Sequence, residues 1–253
     1  SSSASSSSPF SPLVDDKMAA CDWKLESDPV FLQLDAQKQD ALRQAQTSTT
    51  LDAFAQDVAG GARLGLAVWR LLTVNQTLTS VRVGSEAGSE SMISDAGATA
   101  LAEMLKVNRT LSLLDVRWSF SAAGLKALAE ALMVNHTLTS LYLKTNGVPA
   151  AVNQVFSESL QHNRGLRFLY IWQFKLSDAG AQALAKVLKA NRTLISLQLA
   201  GAHVSAAGAQ ALAEALKTNS TLTSLELGHS SISAAGIQAL AEGLKVNTGL
   251  TTL

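Results

Sequence analysis

The chain has 253 residues, 47% hydrophobic and 16% charged, with 20 basic and 20 acidic side chains and no formal net charge. That balance excludes a strongly basic nucleic-acid binder, and the lack of any apolar run of about 18 residues excludes a predicted membrane span. A single cysteine, Cys21, excludes an internal disulfide or a cysteine-rich zinc site.

Neutrality is an average. Residues 1–60 hold nine acids against four bases, and the rest of the chain is basic by the same margin. An acidic region that docks on a partner or on the rest of the chain is one reading of this split. Two ordinary solvated surfaces are the simpler reading.

Residues 1–12, rich in serine with proline, cannot bury enough apolar surface to offset chain entropy, and disorder is expected there. No basic region precedes an apolar stretch, so no secretory signal is read. Asp28 as cap and Pro29 in the first turn open a helix predicted over 29–46. Thr50 is placed to cap a second helix from Leu51, which Gly60-Gly61 interrupts and Leu64–Thr73 resumes. The organisation expected is a Ser-rich leader over 1–20, a helical capping region over 21–74 and repeats over 75–253, the last incomplete.

The repeat is marked by an asparagine after each helical run: Asn75, Asn108, Asn135, Asn163, Asn191, Asn219 and Asn247. The last four steps are 28 residues, the step from Asn108 is 27, and the step from Asn75 is 33 because of an insert around Gly84–Ser91. A fixed period of this length predicts a solenoid. Each unit has an extended half, such as Leu222–Leu227, whose apolar residues alternate, and a helical half, such as Ser205–Leu216. Ser94, Ser121, Ser177, Ser205 and Ser233 are the predicted helix N-caps. One strand and one helix cannot bury their own apolar faces, but stacked copies can.

The N-x-T-L-x-x-L-x-L segments (Asn135–Leu143, Asn191–Leu199, Asn219–Leu227) and the helices Gly180–Leu188 and Gly208–Leu216 resemble the ribonuclease-inhibitor-like leucine-rich repeat family over roughly residues 64–253. The resemblance implies an α/β fold: a right-handed horseshoe with a parallel sheet on its concave face and helices on its convex face, preceded by a short helical cap. The family's asparagine after the strand appears here only at Asn146, so a ladder at that position is expected to be broken. Pro149 at an N-cap position and Val152 in place of the recurrent glycine predict a local distortion.

Residues for chemistry are sparse. His136, His162, His203 and His229 occupy different positions within the repeat and do not stack into a metal cluster. Cys21 has no identifiable base, and Gly60-Gly61 lacks the other residues of a phosphate loop. No catalytic residue, metal or cofactor is therefore expected. Five N-x-T sequons, at Asn75, Asn108, Asn135, Asn191 and Asn219, read better as copies of one helix-to-strand turn than as glycosylation sites.

Stacking dictates the core positions, which leaves the outward strand positions free to carry specificity. One outward column reads Arg82, Asp115, Tyr142, Tyr170, Gln198 and Glu226. The next holds Arg117, Lys144 and Trp172, a third Trp118 and Gln173, and the preceding one Phe168. Both tyrosines of the chain and two of its four tryptophans converge on the middle units. Tyr, Trp and Arg are the side chains enriched in binding hot spots, and such a group is unusual on the surface of a monomer. A register slipped by one residue in unit 163–190 would instead turn Phe168, Tyr170 and Trp172 inward.

These features predict a non-catalytic, cytoplasmic protein-interaction module that binds a protein partner, and neither nucleic acid nor membrane, on its concave face. Similar repeat arrays occur as substrate-recognition parts of ubiquitin ligases, injected effectors and GTPase-activating proteins, so a part of a larger enzyme is the alternative. The sequence stops at Leu253 inside a strand, where an uncapped end would expose Leu244 and Leu250: either the chain is a fragment, or that end pairs with another copy.

Overall fold

The computed structural model describes residues 25–55, 58–85, 93–145, 150–172, 178–200, 204–227 and 232–253. The expectations placed on the Ser-rich leader, Cys21, Asn146, Pro149, Gln173, Ser177, His203 and His229 lie outside these residues.

Fifteen elements alternate along the described chain: α1 (Ala36–Ala45), β1 (Thr50–Ala55), α2 (Val58–Val74), β2 (Ser80–Ser85), α3 (Asp95–Val107), β3 (Leu113–Phe120), α4 (Ala122–Val134), β4 (Ser140–Thr145), α5 (Ala150–His162), β5 (Phe168–Trp172), α6 (Asp178–Ala190), β6 (Ser196–Ala200), α7 (Ala206–Leu216), β7 (Ser224–Glu226) and α8 (Ala234–Leu244). The seven strands form one open parallel sheet in sequence order, and each helix from α2 to α7 packs on the helices before and after it. Helices are ~10 Å across whereas strands sit ~4.8 Å apart, so stacking the two layers together bends the array with the sheet on the inside. The result is an open solenoid of strand–helix repeats.

The core lies between the layers and repeats with the sequence. Leu141 and Leu143 of β4, Leu138 of the preceding turn, and Leu128 and Leu132 of α4 are buried, as are their counterparts in the flanking units. Small residues let the helices close up. A Cβ on Gly208 would lie 2.9 Å from the Ala181 Cβ of the neighbouring helix, so the α6–α7 approach requires glycine there.

The serine caps at Ser94, Ser121, Ser205 and Ser233 accept from backbone N–H groups of the first turn, as the spacing predicts.

The N-terminal region differs from the sequence expectation in two places. The helix predicted over 29–46 is split. Asp28 accepts from Val30 and Phe31 N–H and caps a short 3-10 turn at Phe31–Gln33. Leu34 is extended, and α1 begins after Asp35, which accepts from Lys38 N–H. Gln39 Nε2 then donates to the carbonyls of Phe31 and Leu34, satisfying the interrupted backbone. The second difference is at Leu51, where the expected helix is the strand β1. Its pairing with β2, Leu51 opposite Val81 and Asp52 opposite Arg82, gives the backbone a ladder that local propensity does not foresee. The expected break at Gly60-Gly61 is absent, and α2 runs through it.

Several acids of this region pair within it. Arg43 bonds Glu26 and Asp40 while lying over the Phe31 ring, and the buried Asp28 carboxylate holds Arg70 of α2 at 2.9 Å.

The repeating asparagine forms a ladder at the helix-to-strand turn. Asn163 is fully buried; its Nδ2 donates to Leu132 O at 2.7 Å and Asn135 O at 2.8 Å, and its Oδ1 accepts from Gly165 N at 3.0 Å and Leu166 N at 2.7 Å. Asn135, Asn191 and Asn219 repeat the scheme, each reaching back to a helix-end leucine carbonyl, Leu105, Leu160 and Leu188 respectively. The sequon amides are thus consumed inside the turn.

Asn163→Ala strands two buried carbonyls, the buried Leu166 N–H and the part-buried Gly165 N–H. It is expected to cost about 3 kcal/mol or more, read from urea denaturation followed by circular dichroism; a loss below about 1 kcal/mol would contradict the ladder's role.

Candidate functional site

Strand register carries one outward residue from each strand into a continuous row across the sheet. Its order is Asp52, Arg82, Asp115, Tyr142, Tyr170, Gln198 and Glu226. The row is charged at its start, aromatic in its middle and polar to acidic at its end. Leu169 and Ile171 point into the core on either side of Tyr170, so β5 has the register that turns Phe168 and Trp172 outward, and the slipped alternative does not occur.

Three rings form a contiguous platform. Tyr142 and Tyr170 are tilted at 42° with centroids 5.9 Å apart, and Tyr170 meets Trp172 edge to face at 5.3 Å. Tyr142 is 37% exposed, Trp172 39% and Phe168 43%. Lys144, half-buried, lies in register beside Trp172. Burial on the sheet, with the Glu226 charge adding to it, raises the Tyr170 phenol above its ordinary range. On the far side Gln198 Nε2 donates to Glu226 Oε1 at 2.6 Å, so neighbouring units share one hydrogen bond across the row.

Trp118 corrects the expected surface. Simple repeat spacing places it on the outward face, but it is 2% exposed. The β3–β4 ladder skips from Val116 opposite Leu143 to Ser119 opposite Lys144, so Arg117 and Trp118 form a bulge. The bulge turns the indole inward toward α2, where its Cζ3 lies 3.1 Å from the position a Gly65 Cβ would take. Trp118 therefore packs the core and is not a surface anchor. Arg117 stays exposed beside Gly84, as the column predicts, since a Cβ on Gly84 would lie 2.6 Å from the Arg117 Cβ.

Asp115 is also more buried than an outward position implies, at 8% exposure. Its Oδ2 accepts from Arg117 Nε at 3.1 Å. Burial nevertheless raises its carboxyl above the usual range, outweighing the attraction of Arg117 and Arg82, while Asp52 adds to the rise. Arg82 and Glu226 are exposed, and Gln198 is half-buried.

Among the described residues no three His, Cys, Asp or Glu side chains come together as a metal site, and no helix is long and apolar enough to cross a membrane. The arrangement offers a surface for contact: an aromatic centre between a charged and a polar flank. Sequence reasoning did not anticipate Asp52 as the first member of the row, because it lies in the segment read as helix.

The family model described as "Leucine Rich repeat" matches residues 190–213 and 218–241. No curated protein matches the sequence. Among solved structures the chain is similar to the Leiomodin-1 Actin-Binding Site 2 (ABS2), at 18% identity and TM-score 0.48, over 59% of this chain and 86% of that one. It is also similar to a Bacteroides fragilis protein, at 11% identity and TM-score 0.38, over 78% of this chain and 72% of that one. Leucine-rich-repeat domains are generally protein-interaction modules.

The raised Asp115 carboxyl has a definite sign. The folded state holds the proton more tightly than the unfolded chain, so ionisation costs stability; the cost begins above the ordinary carboxylate range and is complete once pH has risen through the folded value. Asp115→Asn is expected to raise the melting temperature relative to wild type near neutral pH, with the gain vanishing below the ordinary carboxylate range. Melting curves across pH check this; a variant less stable at neutral than at acid pH, relative to wild type, contradicts it.

Proposed function

From the leucine-rich repeats that build this chain, we propose a non-catalytic module of the ribonuclease-inhibitor-like type that binds a protein partner on its concave face. The observation that carries the reading is the Tyr142–Tyr170–Trp172 stack, exposed in the middle of a sheet face that elsewhere offers serine, alanine and charged groups. Amphipathic rings with few rotatable bonds supply contact area at small entropic cost, and hot spots are rich in them. Phe168 extends the platform along the sheet. Arg82, Arg117 and Lys144 set a basic flank in which Asp115 is paired, and Gln198 and Glu226 set the opposite one, so a partner is fixed in direction as well as place. Gln173 belongs to the proposal by its position after Trp172 in the sequence.

A substrate-recognition role within a larger enzyme, of ubiquitin-ligase or GTPase-activating type, uses the same face and is the second reading. A cytoplasmic setting is part of the proposal. Its support is that the sequon asparagines spend their amides in the buried turn ladder, which removes them as an argument for a secretory route.

Tyr170→Ala combined with Trp172→Ala is expected to abolish retention of partners that wild-type protein captures, while the melting temperature stays within a few degrees of wild type. The two side chains project from the sheet and fill no core space. Capture that survives the double substitution would remove the concave aromatic face from consideration.

A further inference from the structure

The outer ends of the helices carry a repeating charge pair. Five residues before the ladder asparagine stand Glu103, Glu130, Glu158, Glu214 and Glu242, and two residues before it stand Lys106, Lys189, Lys217 and Lys245. Where both occur they bond one turn apart: Glu103 to Lys106 at 2.6 Å, Glu242 to Lys245 at 2.6 Å, and Glu214 to Lys217. Two repeats carry a base at the acid position: the one ending at Asn75, where Arg70 pairs with Asp28, and the one ending at Asn191, where Lys186 stands. Lys186 and Lys189 are therefore like charges one turn apart, an arrangement that destabilises a helix.

Both lysines are exposed. Lys189 reaches the field of Glu214, but that carboxylate is already bonded to Lys217. Arg164, Arg167 and Arg192 add three exposed guanidiniums on the adjoining turns. None of the five takes part in an ion pair among the described residues. Cations at a helix C-terminus complement its dipole, which accounts for Lys189 and for Arg192, whose Nη1 donates to Asn191 O at 3.0 Å. The dipole gives no reason to replace a bonded glutamate by Lys186.

We propose that this outer turn edge, Lys186 and Lys189 with Arg164 and Arg192, binds an acidic polypeptide segment. Carboxylates of the segment take the place of the missing glutamate and pair with the four cations. The patch is confined to one repeat. Glu158 on one side and Glu214 on the other close it off, so it suits a short acidic stretch and opposes a long phosphate backbone, which needs a continuous basic track. The surface is separate from the concave aromatic row and does not rest on it.

Lys186→Glu provides the test, since it restores the pair that other repeats form and should leave the melting temperature equal to wild type or slightly higher. Fluorescence anisotropy with a labelled poly-glutamate peptide should show saturable binding to the wild-type chain that weakens steeply with added salt. Lys186→Glu should weaken it about tenfold or more, while the Tyr170→Ala, Trp172→Ala protein binds as wild type does. Equal affinity of wild type and Lys186→Glu for the peptide overturns the proposal. Tighter binding of single-stranded DNA or of phosphatidylserine vesicles than of the peptide overturns the assignment to a polypeptide.

Discussion

Everything on the two faces of this molecule depends on the asparagine carboxamide at the helix-to-strand turn. An amide has two donors and an acceptor oxygen with two lone pairs, and Asn163 uses all four positions on backbone groups. Two of those bonds reach back to the end of the previous helix and to the previous rung. The other two fix the start of its own strand. One side chain thereby joins the end of a helix with a period of 3.6 to the beginning of a strand with a period of 2. Loss of that phase by one residue would exchange core and surface along the strand. The ladder is also why the sequons carry no weight as modification sites, since the nitrogen that glycosylation requires is buried and bonded.

With the phase set, stacking decides the inward residues and leaves the outward ones free. The row from Asp52 to Glu226 follows, because the parallel register carries each outward residue directly beside the next. Its energetics are uneven. The aromatic rings sit on a layer of buried Leu141, Leu143, Leu169 and Ile171, which fixes their height without consuming their outer faces. Asp115 is buried in the row, so its pairing with Arg117 offsets only part of the desolvation.

Periodicity made most of this legible. The spacing of the asparagines, the alternation of Leu225 with its neighbours and the serine caps each state a local rule, and the local rules agree with one another. Legibility failed where tertiary contacts override the local rule. Leu51 lies in an alanine-containing stretch that reads as helix, yet an adjacent strand supplies a ladder for it. Asp28 reads as the cap of one long helix, yet Asp35 supplies a second cap and Leu34 turns the chain between them. Trp118 reads as outward by counting, because counting assumes that every strand has the same number of residues. β3 carries a bulge, and the signal available was size: an indole next to a column containing only Ser, Thr, Gln, Gly and His has no counterpart in the other units. Gly65 opposite it, where a Cβ would sit only 3.1 Å from the indole, is the complementary half of that signal.

The repeat from Asn163 to Asn191 departs from its neighbours on both faces at once. Inside it presents Phe168, Tyr170 and Trp172, and outside it exchanges glutamate for Lys186. Neither change touches a residue that the stack needs. Leu166, Leu169, Ile171, Leu184 and Leu188 remain buried, and Asn163 and Asn191 both keep their ladder bonds. A solenoid couples each unit mainly to its two neighbours, so one unit can be altered on its free surfaces without strain passing along the array. The alterations still have local costs: apolar rings left in water and two lysines set against each other. Residue choices that lower stability locally and contribute nothing to the core are the common ground of the two proposed surfaces, and here two such choices meet in a single repeat.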